Sequence, residues 1–465
     1  MKERDKEMTK RIKHIASAIL PLLQERVGLR LLGALLLLLA ACSSDDAVTE
    51  QTNTENTIVL DVKEVASPVT RAAQIPGSID FTKLTTTGFG VYGYKGQYNN
   101  ASSLPTLFSN SATNTHVTFI SGGTAPTTTV VHPGNWKYTE TSAGLKKWEA
   151  NEKYTFFAYA PYMTDNGTAP GITTIKATSD VTAGDPTVGY TVATNPAESV
   201  DLLWGIRSDN GLPWKDIQRG QTAGAVMFTF YHALCAIGYH AQVIVDKDNN
   251  LSDTEDASGI AAIGTDCKVT IKSITLEPND ARSKAGLFYQ TGVLNLNNTT
   301  AYTPNWGSLS GSNASLVLSG SQIDSKILDP APADADAINA FLDDDTNHPG
   351  ITQAANSQAV IAKDGSDNER FYMLLPYEAK DYKLTIKYFI TYKTGSSTYF
   401  RSDELTGNAT LNDMALLPGV KYYLNMVFGL TTFKLSVLAK DWEGQTITTS
   451  VIVENGTSAS QSLAR

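Results

Sequence analysis

The 465-residue chain is poor in the residues that most often do chemistry, with three cysteines and six histidines. It holds no CxxC pair and no HExxH run, so a structural zinc site or a zinc protease lacks its ligand spacing. It has no GxSxG elbow for a nucleophilic serine and no GxxxxGK loop to cradle a phosphate. Basic residues are also in the minority, 37 against 47 acidic ones, for a formal charge of −10. Such a balance argues against nucleic acid and against a polybasic membrane contact. The longest apolar run, Leu31 to Ala41, falls short of the about 20 residues that span a bilayer. These absences leave no cofactor, no metal and no enzymatic activity to argue for.

What is present begins with that run. Lys10, Arg11, Lys13, Arg26 and Arg30 precede it, and Leu39-Ala40-Ala41-Cys42 closes it with small residues before a cysteine. This is the layout of a lipoprotein signal peptide, residues 1–41, with Cys42 as the lipid-bearing N-terminus. The membrane link is therefore expected to be covalent. Ser43-Ser44-Asp45-Asp46 resembles the signal that sends lipoproteins of Bacteroides-type bacteria to the outer face of the outer membrane. A polar tether follows, rich in Asp, Glu, Thr and Gln. Then Ile58, Leu60 and Val62 alternate with Val59, Asp61 and Lys63, the period-two pattern of a half-buried strand. Arg71 lies in the irregular stretch Pro68 to Ala73, the kind of exposed loop that proteases cut. It reads either as a cleavage point, with Ala72 as the new N-terminus, or as an uncut linker residue.

Beyond Arg71 short β-rich runs alternate with Gly, Pro, Asn and Asp clusters. They include Gly88 to Tyr94, His116 to Ile120, Lys153 to Tyr159, Val226 to Val245, Lys268 to Leu276, Phe371 to Pro376, Tyr382 to Tyr392, Val420 to Gly429 and Thr432 to Leu438. That spacing predicts an all-β protein of antiparallel sandwiches. Only Ala331 to Leu342 reads as helical, an insertion with Ile338, Phe341 and Leu342 on one face behind Asp334 and Asp336. The length predicts two domains, residues 72–218 and 219–465, divided in the turn-rich stretch Leu212 to Gly224.

Several clusters invite a functional reading and are better explained structurally. Gly88-Phe89-Gly90-Val91-Tyr92-Gly93 matches the glycine pattern of a dinucleotide site, but no helix follows to receive a pyrophosphate. His232 and His240 share a face of one regular strand and Cys235 points away, which is no metal site. Asp246, Asp248 and Asn250 open like a calcium loop, yet Leu251 stands where glycine is needed and Ala257 where the bidentate acid belongs. Asp343, Asp344 and Asp345 have the same standing. Cys235 and Cys267 are far enough apart to bridge, which an exported compartment permits and nothing demands. Trp136, Trp148, Trp204, Trp214, Trp306 and Trp442 fit core positions better than a sugar-stacking platform.

Several segments, taken in order, resemble the fimbrillin family, the lipoprotein pilins of Bacteroides and its relatives. They are Asp201-Leu202-Leu203-Trp204-Gly205, Phe230-Tyr231-His232-Ala233-Leu234, Tyr372-Met373-Leu374-Leu375-Pro376 with the strand Leu384 to Tyr392, and Leu417 to Tyr423 with Ser436 to Trp442. The resemblance covers most of the chain after Ile58. It implies two transthyretin-like sandwich domains and a structural place for His232. It also implies assembly into adhesive fimbriae at the cell outer membrane, with other subunits, copies of the same chain among them, as partners. In the family an arginine-specific protease removes the N-terminal strand, and a neighbouring subunit fills the groove. Here the cut after Arg71 would release residues 42–71, tether and strand together with the lipid. Losing Ile58, Leu60 and Val62 would bare an apolar groove and unpaired strand edges. The tail, residues 444–465, offers Ile447, Thr449, Val451 and Val453 in alternation, either as a donor strand or as the last strand of its own sheet. A monomeric, lipid-anchored glycan-binding lipoprotein and an anchor or tip subunit are the alternative readings. The residues name no ligand on a host or bacterial surface.

Overall fold

A computed structural model describes residues 56–65, 78–98, 106–108, 114–120, 135–138, 146–164, 171–176, 185–222, 224–243, 267–279, 288–311, 315–329, 335–352, 358–363, 367–394, 398–429, 433–442 and 446–454. Along the chain come β1 (Leu60–Val65), α1 (Phe81–Thr87), β2 (Phe89–Lys95), β3 (Thr115–Phe119), β4 (Trp136–Tyr138), β5 (Tyr154–Ala160), β6 (Ile172–Lys176) and β7 (Thr187–Thr191). They continue with β8 (Leu203–Ile206), β9 (Trp214–Ile217), β10 (Val226–His232), β11 (Cys235–Val243), β12 (Cys267–Pro278), β13 (Thr291–Asn295), β14 (Asn305–Ser310) and β15 (Leu316–Ser319). Last come α2 (Ala335–Asp343), β16 (Ile351–Thr352), β17 (Ala359–Val360), β18 (Tyr372–Leu374), β19 (Tyr377–Thr394), β20 (Thr398–Arg401), β21 (Leu405–Leu416), β22 (Val420–Phe428), β23 (Phe433–Asp441) and β24 (Thr446–Glu454). The protein is all-β, as its turn-punctuated sequence predicts.

The first sheet has eight strands in the order β1-β10-β8-β5-β2-β3-β4, with β9 also on β5. Its central strands carry large side chains on both faces. In β2, Phe89 and Val91 join one core and Tyr92 and Tyr94 another; in β5, Phe156 and Ala158 divide from Phe157 and Tyr159 in the same way. The glycines of the dinucleotide-like run belong to this packing. A methyl group on Gly90 would lie 2.4 Å from the Tyr159 ring, and one on Gly93 would lie 2.5 Å from Phe108. Glycine here lets aromatic rings from other elements lie across β2.

A four-stranded sheet, β14-β13-β7-β6, shares the core of Tyr92, Tyr159 and Trp204 through Val188, Tyr190 and Leu294. Two further sheets, β17-β11-β22-β23-β24 and β15-β12-β19-β20, enclose a core of Ile237, Tyr239, Ile271, Ile274, Leu384, Ile386, Leu424 and Met426.

The structure corrects several expectations. The division at 218/219 cuts the first sheet, because β9 and β10 flank it and both belong there. The chain leaves that sheet at Ala233-Leu234, and β7 pairs with β13 from beyond the expected boundary. The turn-rich stretch that suggested a linker is β9 followed by a tight turn at Gln218–Gln221. Val226 to Val245 is not one strand: β10 ends at His232, and β11 starts at Cys235 in another sheet. Pairing is not purely antiparallel either, since β1 runs parallel to β10 and β11 parallel to β22.

The bridge between Cys235 and Cys267 does not form. Cys235 is a free, buried thiol 3.4 Å from the Leu374 carbonyl, and Cys267 opens β12 in a different sheet, opposite Tyr392. Burial pushes the Cys235 thiol well above its ordinary range. The helix expected at 331–342 is α2, between β15 and β16, with Phe341 buried. Its neighbour in type, α1, is absent from the sequence reading. Asp80 caps it by accepting the Lys83 N–H at 2.6 Å, and Gly88 (φ 66°) closes it. Three consecutive threonines hide this helix from a propensity reading.

Leu384 is fully buried between the two C-terminal sheets, so Leu384→Ala is expected to lower stability by about 2–5 kcal/mol in denaturant unfolding. Val317→Ala, at an exposed position on β15, should stay within about 0.5 kcal/mol.

Candidate strand-exchange groove

The strand expected at Ile58–Val62 is β1 with its approach, and it fills a groove rather than capping a hairpin. Ile58, Leu60, Val62 and Val65 are buried, and Lys63 and Glu64 point outward. Asp61, expected to face outward, is buried as well, and after Val62 a bulge shifts the register against β10 by one residue, so the fourth buried apolar side chain is Val65. These side chains share one core with Phe89, Val117, Trp136, Tyr138, Phe228 and Phe230. Its rings pack edge to face, Phe89 at 5.2 Å from Trp136 and 5.0 Å from Phe230.

Main-chain bonds line both sides of the groove. On one side the Val226 N–H donates to the Val59 carbonyl at 2.7 Å, at the start of the parallel ladder with β10. On the other, the Ile58 N–H donates to the Lys146 carbonyl at 2.8 Å and the Trp148 N–H to the Asn56 carbonyl at 2.7 Å. The Tyr138 hydroxyl donates to the Ile58 carbonyl at 2.8 Å. The 146–148 border was not evident from sequence, because those residues form an isolated bridge with no strand pattern.

Arg71, Ala72 and Cys42 lie outside the described residues. In sequence, Arg71 stands between Val65, the end of β1, and Ser78, where description resumes. The tail residues Ile447, Thr449, Val451 and Val453 fall on β24. This strand pairs antiparallel with β23, Val451 opposite Val437 and Val453 opposite Leu435, at the edge of its sheet. In this structure the tail completes its own sheet.

The segments that carry the family resemblance converge in the interior. The Asp201 carboxylate is buried, and its Oδ2 accepts the Ile79 N–H at 3.1 Å and faces His232 Nδ1 at 2.7 Å. The His232 ring stacks on Trp442 with centroids 4.3 Å apart. Trp442 donates its indole N–H to Ser78 Oγ at 2.8 Å and its main-chain N–H to the Gly419 carbonyl at 2.9 Å. Gly419 and Ala233 in turn donate to the carbonyls of Leu234 and Leu202. Burial first, and then the Asp201 charge, push the Tyr190 phenol well above its ordinary value. Asp201 was read from the sequence only as part of a motif. Its contact with Ile79 spans 122 residues and leaves no local signal.

Among the described residues no group of three metal-ligating side chains occurs. His232 and His240 belong to different sheets, and His240 Nε2 meets the Glu369 carboxylate at 3.0 Å. Asp246, Asp248 and Asn250 lie outside the described residues. Asp344 accepts two hydrogen bonds from Asn347, which hold its carboxyl below the usual range, and Asp345 meets Lys268 Nζ at 3.2 Å. Of the six tryptophans only Trp306 is not buried, and its indole N–H donates to the Ala233 carbonyl at 2.9 Å.

Leu60→Asp places an unpaired carboxylate at a fully buried position of β1 and is expected to cost roughly 4 kcal/mol or more in thermal or denaturant unfolding. Lys63→Ala, at the exposed bulge, should cost less than about 0.5 kcal/mol. Equal effects at the two positions would mean that β1 does not hold the groove.

No family model matches the chain. It is 26% identical over 415 residues to fimbrium subunit Fim1C of Phocaeicola vulgatus, spanning 86% of this chain and 92% of that protein. The crystal structure of a fimbrial protein from Bacteroides vulgatus superimposes with a TM-score of 0.56 at 20% identity, over 83% of this chain and 99% of that one. Neither relative is an enzyme by name. The kinship with fimbrial proteins expected from the fimbrillin-like segments therefore holds, in sequence through the first relative and in fold through the second.

Proposed function

We propose that the chain is a structural subunit of surface fimbriae, exported as a lipoprotein through Cys42, cut after Arg71 and polymerised by β-strand exchange to support adhesion. The observation that carries this reading is the position of β1. It is an edge strand of the first sheet, lies wholly N-terminal to Arg71, and together with Ile58 just before it fills an apolar groove with four buried side chains. A cut after Arg71 leaves β1 attached only by its hydrogen bonds and packing. Its departure exposes the aromatic floor and two rows of main-chain groups, which a strand from a neighbour can satisfy.

The partners on this reading are other fimbrial subunits, most simply further copies of this chain, and an arginine-specific protease. Before processing, the lipid on Cys42 holds the chain in the outer membrane. The tail β24 supplies the incoming strand. It is an edge strand in its own sheet, so withdrawing it breaks one ladder rather than two.

The test is intact-mass and N-terminal analysis of the protein recovered from the cell surface, beside an Arg71→Ala variant. The expected result is an N-terminus at Ala72 with no acyl mass and SDS-resistant ladders, both lost in the variant. A lipid-bearing Cys42 still joined to the whole chain would overturn processing and favour an anchor subunit or a monomeric surface binder.

A further inference from the structure

Both segments that exchange would move are rooted in one buried cluster. Counting from the N-terminal side, Ser78 and Ile79 are the first described residues after the Arg71 stretch, and each is held by a side chain distant in sequence. Trp442 donates to Ser78 Oγ across 364 residues, and Asp201 accepts the Ile79 N–H. Directly after them Asp80 caps α1, whose Leu84 is fully buried in the groove core. From the C-terminal side, Trp442 stands just ahead of β24 and is held by its main-chain bond to Gly419, its stack on His232 and its bond to Ser78. His232 Nδ1 and the Ile79 N–H meet on the same carboxylate oxygen, which joins the two sets of contacts.

We infer that Asp201, His232 and Trp442 form a shared anchor that sets the limits of both exchanging segments, residues before Ser78 on one side and residues after Trp442 on the other. The purpose assigned to this anchor rests on the strand-exchange reading; its existence as a coupled unit does not. The coupling has a physical cause. Asp201 is fully buried, and among the described residues its Oδ1 has no hydrogen-bond partner, so Oδ2 carries the compensation for a buried carboxylate. Pulling Ile79 away removes one of the two donors at that oxygen and strips the Trp442 indole N–H of its acceptor at the adjacent Ser78. A buried polar group that loses its partner costs more than the bond itself contributes. Loosening either root therefore loosens the other. Cleavage after Arg71 can then free β1 without unravelling α1, and the tail can leave β23 without opening the Gly419 turn.

The test is hydrogen exchange read by mass spectrometry on the full chain, comparing wild type with Ser78→Ala, Trp442→Phe and Asp201→Asn. Trp442→Phe keeps a ring on His232 but removes the donor to Ser78 together with part of a buried ring, so Ser78→Ala is the cleaner deletion of the bond. The Trp442 variant is expected to raise exchange by about fivefold in both 79–84 and 446–454, the equivalent of one lost hydrogen bond. Ser78→Ala, a change at a partly exposed residue that the fold should tolerate, is expected to raise exchange in the distant 446–454 segment by a similar factor. Amides of β12 and β19 should not change in either variant. Exchange that rises only beside the substituted residue, or evenly over every sheet, would overturn the anchor. Should Asp201→Asn fail to fold, the Ser78→Ala result decides alone. Deleting residues 446–454 addresses exchange separately: a deleted chain that still forms ladders refutes the tail as donor and leaves the exchange-protection result standing.

Discussion

The groove of the first sheet depends on one pairing, the parallel ladder between β1 and β10. Parallel neighbours cannot be joined by a tight turn, and the connection here runs through the whole of the rest of the sheet before it returns as β10. Like β4 at the other edge and β9 beside β5, β1 is a strand of this sheet that is not needed to link its other members. The ladder β10-β8-β5-β2-β3-β4 is antiparallel and continuous without it. What β1 contributes is a lid of aliphatic side chains over Phe89, Trp136, Phe228 and Phe230, and main-chain partners for Val226 and the 146–148 segment.

The consequence of losing such a strand is set by the opposite face. Tyr92, Phe157, Tyr159 and Trp204 are buried against Val188, Tyr190 and Leu294 of the four-stranded sheet and against Phe371, Met373 and Leu375. None of those contacts involves β1. The sheet therefore keeps one complete core when the other is opened, and the damage stays local. A sheet with a single buried face would melt under the same treatment. The aromatic load on β2 and β5, with glycines admitting the rings, is what allows one edge to be open while the fold persists.

Much of this was legible from sequence, and the limits have physical reasons. β1 declared itself through the alternation of Ile58, Leu60 and Val62, and β22 and β23 as β-rich runs between turn residues, because both are local patterns. The bulge that brings Val65 into the core was not legible, since it is defined against β10. The domain division failed for a related reason. Gly220 and Gly224, both at positive φ, mark real turns, but a turn inside a sheet and a linker between domains look alike along the chain. Likewise Val226 to Val245 reads as one strand because Ala233-Leu234 carries no turn residue, although the chain changes sheets there. His232 and His240 therefore share no strand and no common face, while the structural place for His232 lies against Asp201 and Trp442. The motifs were visible as a set; what draws them to one point is tertiary.

The energetics of exchange explain why a covalent cut is needed on the proposed pathway. Each buried Val, Leu or Ile side chain contributes about 1.5–3 kcal/mol, so the four of β1 hold it with something on the order of 6–12 kcal/mol, an upper estimate against an extended reference. The tail offers a comparable but slightly less apolar set, with Thr449 among Ile447, Val451 and Val453. On composition alone it gains nothing over β1. While β1 is tethered it also competes at the high effective concentration of an intramolecular strand, which a separate subunit cannot match. Cutting the tether removes that advantage without touching a single contact in the groove. The exchange then becomes a competition between two separate strands, of which one remains attached to a whole subunit and the other is a short peptide held by its lipid in the outer membrane.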